Sequence, residues 1–346
     1  MSKEEYIQRA GFFTYDRLSC LRNEYAHNDC KKCLEICPEN AFVFVRKKLT
    51  LETKKCTSCG VCIGSCPTGS LFLVGQSVVK PIQKMLYEDN PMLSCENQQS
   101  CLAKYTQFDY ITMALESQKS FTCNLFTCKD CEINTNQKVQ SFIEKNIDEA
   151  NVVLEKISAL KVKKSFEIET KPLLARRAFF RSLIKPLHVK DEIDLHVKSL
   201  DRVKKSLKEN LLDVNETVIN QILSFSHQKK IDESCTNCGE CVTFCPSEAL
   251  NYDKKKTKIF FQMGKCIGCG ICEDICKTQS IKSQNVKFDL IDFAYDKIEV
   301  LCEHELRVCK VCKCAFSYKS GEEICQRCSN FEVKNSNMLA LASNIK

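Results

Sequence analysis

The longest regular pattern in the chain is NQKVQSFIEKNIDEANVVLEKI, residues 136–157. Apolar residues recur there every three or four positions, the period of a helix with one buried face. Upstream, a short apolar run ends at Cys95, YITMALESQ carries a helical period, and SFTCNLFTC is strand-like. Together these predict a β-α-β-α module with cysteines at strand ends, where ligand sites on such sheets lie. Two other stretches, AFVFVRKKLTLETKK (41–55) and NYDKKKTKIFFQMGK (251–265), each predict a hairpin, two short strands about a lysine-rich turn. From about 161 to 230, Leu, Ile, Val and Phe at helical spacing alternate with Lys161, Lys163, Lys164, Arg176, Arg177, Arg181, Lys185, Lys204 and Lys205. That region reads as connecting helices with a basic, solvated face.

No run of 18 uncharged apolar residues is present, so no transmembrane helix is expected. The opening MSKEEYIQRAGFF has no apolar stretch of signal-peptide length, which points to a cytoplasmic protein. RRAFFRSLIK (176–185) has paired arginines but lies mid-chain without a following apolar region, and reads as a basic amphipathic helix.

Composition changes this picture at one residue type. Among 346 residues there are 27 cysteines. Their odd number, their spacings of two and three, and the absence of an export signal favour bound metal over a disulfide framework.

The second half holds two complete C-x2-C-x2-C-x3-C motifs. CTNCGECVTFCPSEAL supplies Cys235, Cys238, Cys241 and Cys245, and CIGCGICEDICKTQSI supplies Cys266, Cys269, Cys272 and Cys276. This tandem, with the hairpin between the motifs and a small helix-forming segment after each, resembles the bacterial dicluster ferredoxins. The resemblance implies crossed ligation of two 4Fe–4S clusters, one on Cys235, Cys238, Cys241 and Cys276, the other on Cys245, Cys266, Cys269 and Cys272. Lys277 replaces the proline that usually follows the last cysteine, a cation that could raise that cluster's potential.

The first half repeats the unit with one defect. CTSCGVCIGSCPTGSL supplies Cys56, Cys59, Cys62 and Cys66, but the stretch before it offers Cys30, Cys33 and Cys37, with His27 where the first cysteine belongs. Crossed ligation then gives one full set, Cys37, Cys56, Cys59 and Cys62, and one incomplete set, Cys30, Cys33 and Cys66. The fourth ligand is expected to be Cys20 on a longer loop, since thiolate is the usual iron ligand here and extra loop length costs little closure entropy. His27 and a three-iron cluster are the alternatives. The pattern C-x-R-x7-C-x2-C-x3-C-P also resembles multi-cluster bacterial ferredoxin-like proteins.

Four oxidised clusters would contribute roughly −8, cancelling the formal +7 of the chain, so charge alone gives no argument for a nucleic-acid partner. The middle cysteines, Cys95, Cys101, Cys123, Cys128 and Cys131, form a layout that weakly resembles the small iron–sulfur subunit linking hydrogenases to heterodisulfide reductases. That resemblance implies a further redox or metal site, with the C-x4-C step at Cys123 and Cys128. Buried thiols in an interaction module are the competing reading. At the C-terminus, Cys309, Cys312, Cys325 and Cys328 stand as C-x2-C-x12-C-x2-C, which resembles a zinc ribbon, with zinc favoured over rubredoxin iron. Cys302 and Cys314 are spares able to exchange into it, and His188, His196 and His227 have no ligand-like spacing.

The expected architecture is α+β in five segments. Residues 1–75 and 231–285 are dicluster ferredoxin-like modules, 76–160 a small α/β cysteine module, 161–230 a basic helical connector and 286–346 a zinc-ribbon-like segment. No G-x-G-x-x-G turn, P-loop or Ser/His/Asp arrangement supplies a substrate site. The resemblances imply an electron-transfer protein or oxidoreductase subunit, more a conductor than an enzyme. Its partner would be a formate dehydrogenase, hydrogenase or heterodisulfide-reductase-type complex, with peripheral membrane contact a further option. The alternatives are thiol/disulfide or 2Fe–2S redox chemistry at Cys95–Cys131, and an iron–sulfur sensor or assembly factor. Sequence leaves the potentials and the oligomeric state open.

Overall fold

The computed structural model describes residues 13–25, 28–73, 78–98, 100–168, 198–212, 214, 216–284 and 287–331. His27, His188, His196 and Arg176, Arg177, Arg181 and Lys185 lie outside them. The chain divides into two compact units, Met1–Ser226 with Ile267–Cys269 and Val286–Lys297, and His227–Cys266 with Gly270–Asn285 and Ile298–Lys346.

In the first unit the anticipated hairpin forms, with strand Phe42–Val45 antiparallel to Lys48–Leu51. Its two turn residues, Arg46 and Lys47, both take positive φ (49° and 65°), the backbone twist that two-residue hairpin turns require. A second antiparallel pair joins Phe13–Tyr15 to Leu71–Leu73 and closes the module around its cysteine loops. The Tyr15 hydroxyl donates to the Leu49 carbonyl at 3.2 Å, and Asn23 Oδ1 accepts from Leu49 N at 2.8 Å, which ties the outer pair and the loop after Cys20 to the hairpin.

The middle of this unit is a three-stranded parallel sheet in the order Met92–Ser94, Phe121–Asn124, Val162–Ser165. Its crossovers contain helix Gln107–Ser117 and helix Lys138–Ile157. The first begins at a reciprocal capping box, with Thr106 N donating to Asp109 Oδ2 at 2.8 Å and Asp109 N to Thr106 Oγ1 at 3.3 Å. Tyr110, Met113, Leu93 and Phe121 form the fully buried core between helix and sheet. The third strand falls where a connector helix was expected. Val162 is buried while Lys163 and Lys164 face outward, and both backbone groups of Val162 bond the buried Asn151 side chain at 2.8 and 2.9 Å. Tertiary pairing to an exposed sheet edge thus outweighs local helical spacing.

Helix Ser199–Asn210 is present, but its basic residues are not all solvated. Lys204 is buried and its ammonium pairs with Asp296 at 2.9 Å. Beside it Phe108, Phe225, Phe288 and Phe293 form an aromatic cluster with centroid spacings of 4.9–6.2 Å.

The second unit repeats the plan of the first module. An outer pair, Gln228–Ile231 with Ile281–Gln284, encloses an inner hairpin, Leu250–Tyr252 with Lys258–Gln262. Here the hairpin gains a third strand, Ile298–Glu303, and a separate hairpin, Glu305–Val308 with Ala315–Tyr318, follows. The short helices Glu240–Thr243 and Ile271–Asp274 lie within the cysteine motifs instead of after them. Gly239 and Gly270, at φ +80° and +77°, precede them and permit the left-handed turn into each helix. Among the described residues no helix is long and apolar enough to cross a membrane.

Gly64 marks a close approach of two backbones, for a Cβ there would stand 2.2 Å from the Ala103 carbonyl oxygen. Gly64→Ala is therefore expected to destabilise the protein by about 1–3 kcal/mol, measured as a lower denaturation midpoint, with the second unit's transition unchanged.

Candidate metal centres

Four sulfurs converge in each of several places. In the first unit Cys20, Cys30, Cys33 and Cys66 line one cavity of about 350 Å³, together with Tyr15, Arg22 and Lys32. Cys20 is buried just before helix Leu21–Glu24, whose first turn aims it inward. A cysteine ten positions upstream of Cys30 thus lines the same cavity as the other three. Burial, followed by the charges of Cys66, Cys30 and Cys20, pushes the Cys33 thiol up, so these groups crowd one another. The neighbouring set behaves alike. Burial, then Cys59 and Cys37, holds Cys62 well above its ordinary range, and burial raises Cys59 to about 11.

Such crowding disfavours ionisation of these thiols when no cation is present. Four thiolates around one point repel, whereas a bound cationic centre inverts the balance and favours their ionised form. The donor set therefore fits thiolate-ligated iron.

In the second unit Cys235, Cys238, Cys241 and Cys276 line a cavity of about 340 Å³. Cys272 is buried in the core of this unit with Cys245 and Cys266 packed against that core. Lys277 pairs with Glu240 at 3.1 Å on the surface, so much of its charge is offset locally. Hydroxyls reach matched sulfurs in both modules. Ser70 and Thr68 lie 3.2 and 3.6 Å from Cys66 Sγ, and Ser280 and Thr278 lie 3.3 and 3.5 Å from Cys276 Sγ. Burial pushes Cys276 up, but these hydroxyls outweigh it and leave the thiol below its usual range.

A third cavity, about 330 Å³, is lined by Cys95, Cys101, Cys128 and Cys131. It lies at the carboxyl ends of the parallel strands, since Cys95 directly follows strand Met92–Ser94 and the other pair follows Phe121–Asn124. Burial raises Cys128 to about 12, with Cys95 and Cys131 adding to it. Cys123 does not line this cavity. It sits within its strand, fully buried, where burial alone raises its thiol. Of the C-x4-C step expected at Cys123 and Cys128, Cys128 lines the cavity, whereas alternation along the strand turns Cys123 into the core.

At the C-terminus the sulfurs of Cys309, Cys312, Cys325 and Cys328 all lie within 4.8 Å of one another, a spacing that suits one tetrahedral ion. The Cys309 sulfur accepts from Cys325 N at 3.3 Å, and such backbone donors lower this thiol to about 6. Cys314 is exposed. Cys302 is not at this site, and with His304 it converges on Cys235, ligand atoms within 4.8 Å. Sequence reading missed this group, although the C-x-H step in LCEHE was visible.

Residues 28–70 and 234–281 each match the 4Fe-4S dicluster domain family. An uncharacterized ferredoxin of Methanocaldococcus jannaschii is 38% identical over 45 residues, 13% of this chain and 71% of that protein. Pyruvate synthase subunit PorD of Methanothermobacter marburgensis is 33% identical over 55 residues, 16% of this chain and 62% of the subunit. Archaeal-type glutamate synthase (NADPH) of Thermotoga maritima is 34% identical over 64 residues, 18% of this chain but 13% of the synthase, so the chain spans only a small part of that relative. The fold and sites define an iron–sulfur protein of ferredoxin type. More particularly, the chain belongs to the multi-cluster 4Fe–4S ferredoxin-like proteins, which places it in electron transport. The first match begins at residue 28 and so does not include Cys20.

Lys104 follows Cys101 on a short turn, and burial lowers its ammonium to about 8, opposed by Cys101 and Asp109. Between pH 8 and the ordinary lysine range near 10.5 the unfolded chain holds the extra proton, so this group makes stability rise with pH. Lys104→Met is expected to abolish a rise of order 3 kcal/mol, read as the wild-type minus variant unfolding free energy from pH 7.5 to 10.5.

Proposed function

We propose that this chain conducts single electrons through four 4Fe–4S clusters, and that it joins an oxidoreductase to another carrier. The convergence of Cys20, Cys30, Cys33 and Cys66 on one cavity supports this most, because it completes the set that sequence spacing leaves one ligand short. The second set is Cys37, Cys56, Cys59 and Cys62. The third is Cys235, Cys238, Cys241 and Cys276, and the fourth, by register in the motif, is Cys245, Cys266, Cys269 and Cys272. When bound, the clusters supply one-electron transfer at potentials set by charge, hydrogen bonds and exposure. The protein's residues do the rest. The outer strand pairs close each module, burial keeps water from the sulfurs, and Ser70, Thr68, Ser280 and Thr278 orient and polarise two of the ligands.

The cavity of Cys95, Cys101, Cys128 and Cys131 is assigned to a further iron–sulfur centre of 2Fe–2S type, held by four thiolates at the ends of parallel strands. Zinc is assigned to Cys309, Cys312, Cys325 and Cys328, where it staples a segment with little core of its own. The partner is an oxidoreductase, of 2-oxoacid or glutamate synthase kind by the similar proteins, or of formate dehydrogenase, hydrogenase or heterodisulfide reductase kind by the middle module. The protein works in the cytoplasm.

Two experiments test these assignments. In EPR of the anaerobically reduced protein, Cys20→Ala removes or converts one 4Fe–4S signal while His27→Ala leaves all intact; the opposite pattern makes His27 the ligand. Cys128→Ala removes the 2Fe–2S signal and about two irons per chain, whereas Cys123→Ala retains both. Unchanged dye-linked electron transfer in Cys128→Ala with loss of disulfide turnover instead identifies a thiol enzyme.

A further inference from the structure

Cys302, His304 and Ser317 form a line of polar groups that ends on a cluster ligand and that the conduction scheme above does not use. His304 Nδ1 lies 2.8 Å from Ser317 Oγ, and His304 Nε2 lies 3.3 Å from Cys302 Sγ. The Cys302 sulfur in turn lies within 4.8 Å of the Cys235 sulfur. One proton arrangement satisfies every member with a neutral imidazole. The Ser317 hydroxyl donates to Nδ1, Nε2–H donates to the Cys302 sulfur, and the Cys302 S–H donates to the Cys235 sulfur.

The backbone is built to hold this line. Strand Ile298–Glu303 pairs with the inner hairpin of the module, and its register slips at one point. Ile259 faces Cys302 while the next residue, Phe260, faces Val300, leaving Leu301 as a bulge. Bulges of this kind re-aim a side chain, and this one lies beside Cys302. His304 is fixed by its own backbone N–H, which donates to the Thr257 carbonyl at 2.7 Å. Ser317 comes from the next hairpin, whose connecting segment carries Cys309 and Cys312. Cys302 packs on the core around Cys235 but does not line the cavity formed by Cys235, Cys238, Cys241 and Cys276. It therefore stands behind the ligand and not among the ligands.

Resting on the assignment of that cavity to a 4Fe–4S cluster, we infer that Cys302 is a positioning residue: with His304 and Ser317 behind it, it donates a hydrogen bond to the Cys235 sulfur and raises this cluster's potential. Donors to cluster sulfurs stabilise the more negative, reduced state. The ligand at the other side of the same cavity, Cys276, already has two hydroxyls, as does its counterpart Cys66, so the Cys302 line adds a donor at Cys235 to those at Cys276. The C-terminal segment thus gives the second module a donor from outside its matched residues 234–281.

The test is an EPR-monitored redox titration of the full-length, cluster-loaded protein with Cys302→Ala and Cys302→Ser, alongside iron analysis. Cys302→Ala is expected to move one cluster signal to lower potential and leave the others in place at full iron content. Cys302→Ser, which keeps a donor, restores most of the shift, and Ser317→Ala gives a smaller shift in the same direction as Cys302→Ala. A Cys302→Ala protein with unmoved signals and full iron overturns the inference while leaving the cluster assignment standing. Loss of a signal with about four irons also overturns it, by making Cys302 a ligand. A wild-type protein without a 4Fe–4S signal in this unit removes the assignment on which it rests.

Discussion

Sulfur crowding is the constraint on which the rest of the structure depends. The two ferredoxin modules, residues 28–70 and 234–281, are each under fifty residues, a size at which an apolar core alone rarely holds a fold. Each instead directs several cysteines inward from short turns, and burial together with mutual repulsion pushes some of those thiols upward, Cys33 and Cys62 in the first module and Cys241 in the second. That arrangement disfavours ionised thiols without a cation and favours thiolates on a shared metal, a balance by which metal binding stabilises a small fold. At the C-terminal knuckles four sulfurs lie within 4.8 Å of one another, and backbone donors lower Cys309 there.

The parallel-sheet module is built differently. Its core of Tyr110, Met113, Phe121 and Leu93, its capped helix and the Asn151 bond to the edge strand give it stability of its own. A cavity at the strand ends can therefore present four cysteines without carrying the fold, which makes this site the one most open to change in potential or chemistry. Gly64 packs the first ferredoxin module closely against Ala103 and Lys104, on the turn that follows Cys101. The two sets of cysteines in this unit are thus held by one piece of backbone.

Much of this was legible in sequence, because ferredoxin spacing is tied to the ligand geometry of a single cluster. Both hairpins, the duplicated motifs, the four C-terminal cysteines and the β-α-β-α order follow from periods of two and 3.6 and from C-x2-C steps. What was not legible depends on contacts far apart in the chain. Strand Val162–Ser165 exists because an open sheet edge accepts it, not because its residues demand it. Cys123 looks like a ligand by spacing but is turned into the core by strand alternation. Lys204 reads as surface charge until Asp296, 92 positions away, supplies its partner. Cys302 looks like a spare of the C-terminal set, and only the bulge opposite Ile259 and Phe260 brings it to Cys235.

The central claim is that these cysteines close around iron in paired sets. Iron, acid-labile sulfide and zinc analysis of the full-length protein, purified without oxygen, tests it most directly. The account predicts about eighteen irons, sixteen in four cubane clusters and two in the middle centre, with about one zinc per chain. A colourless protein that is well folded yet carries less than about one iron per chain contradicts it.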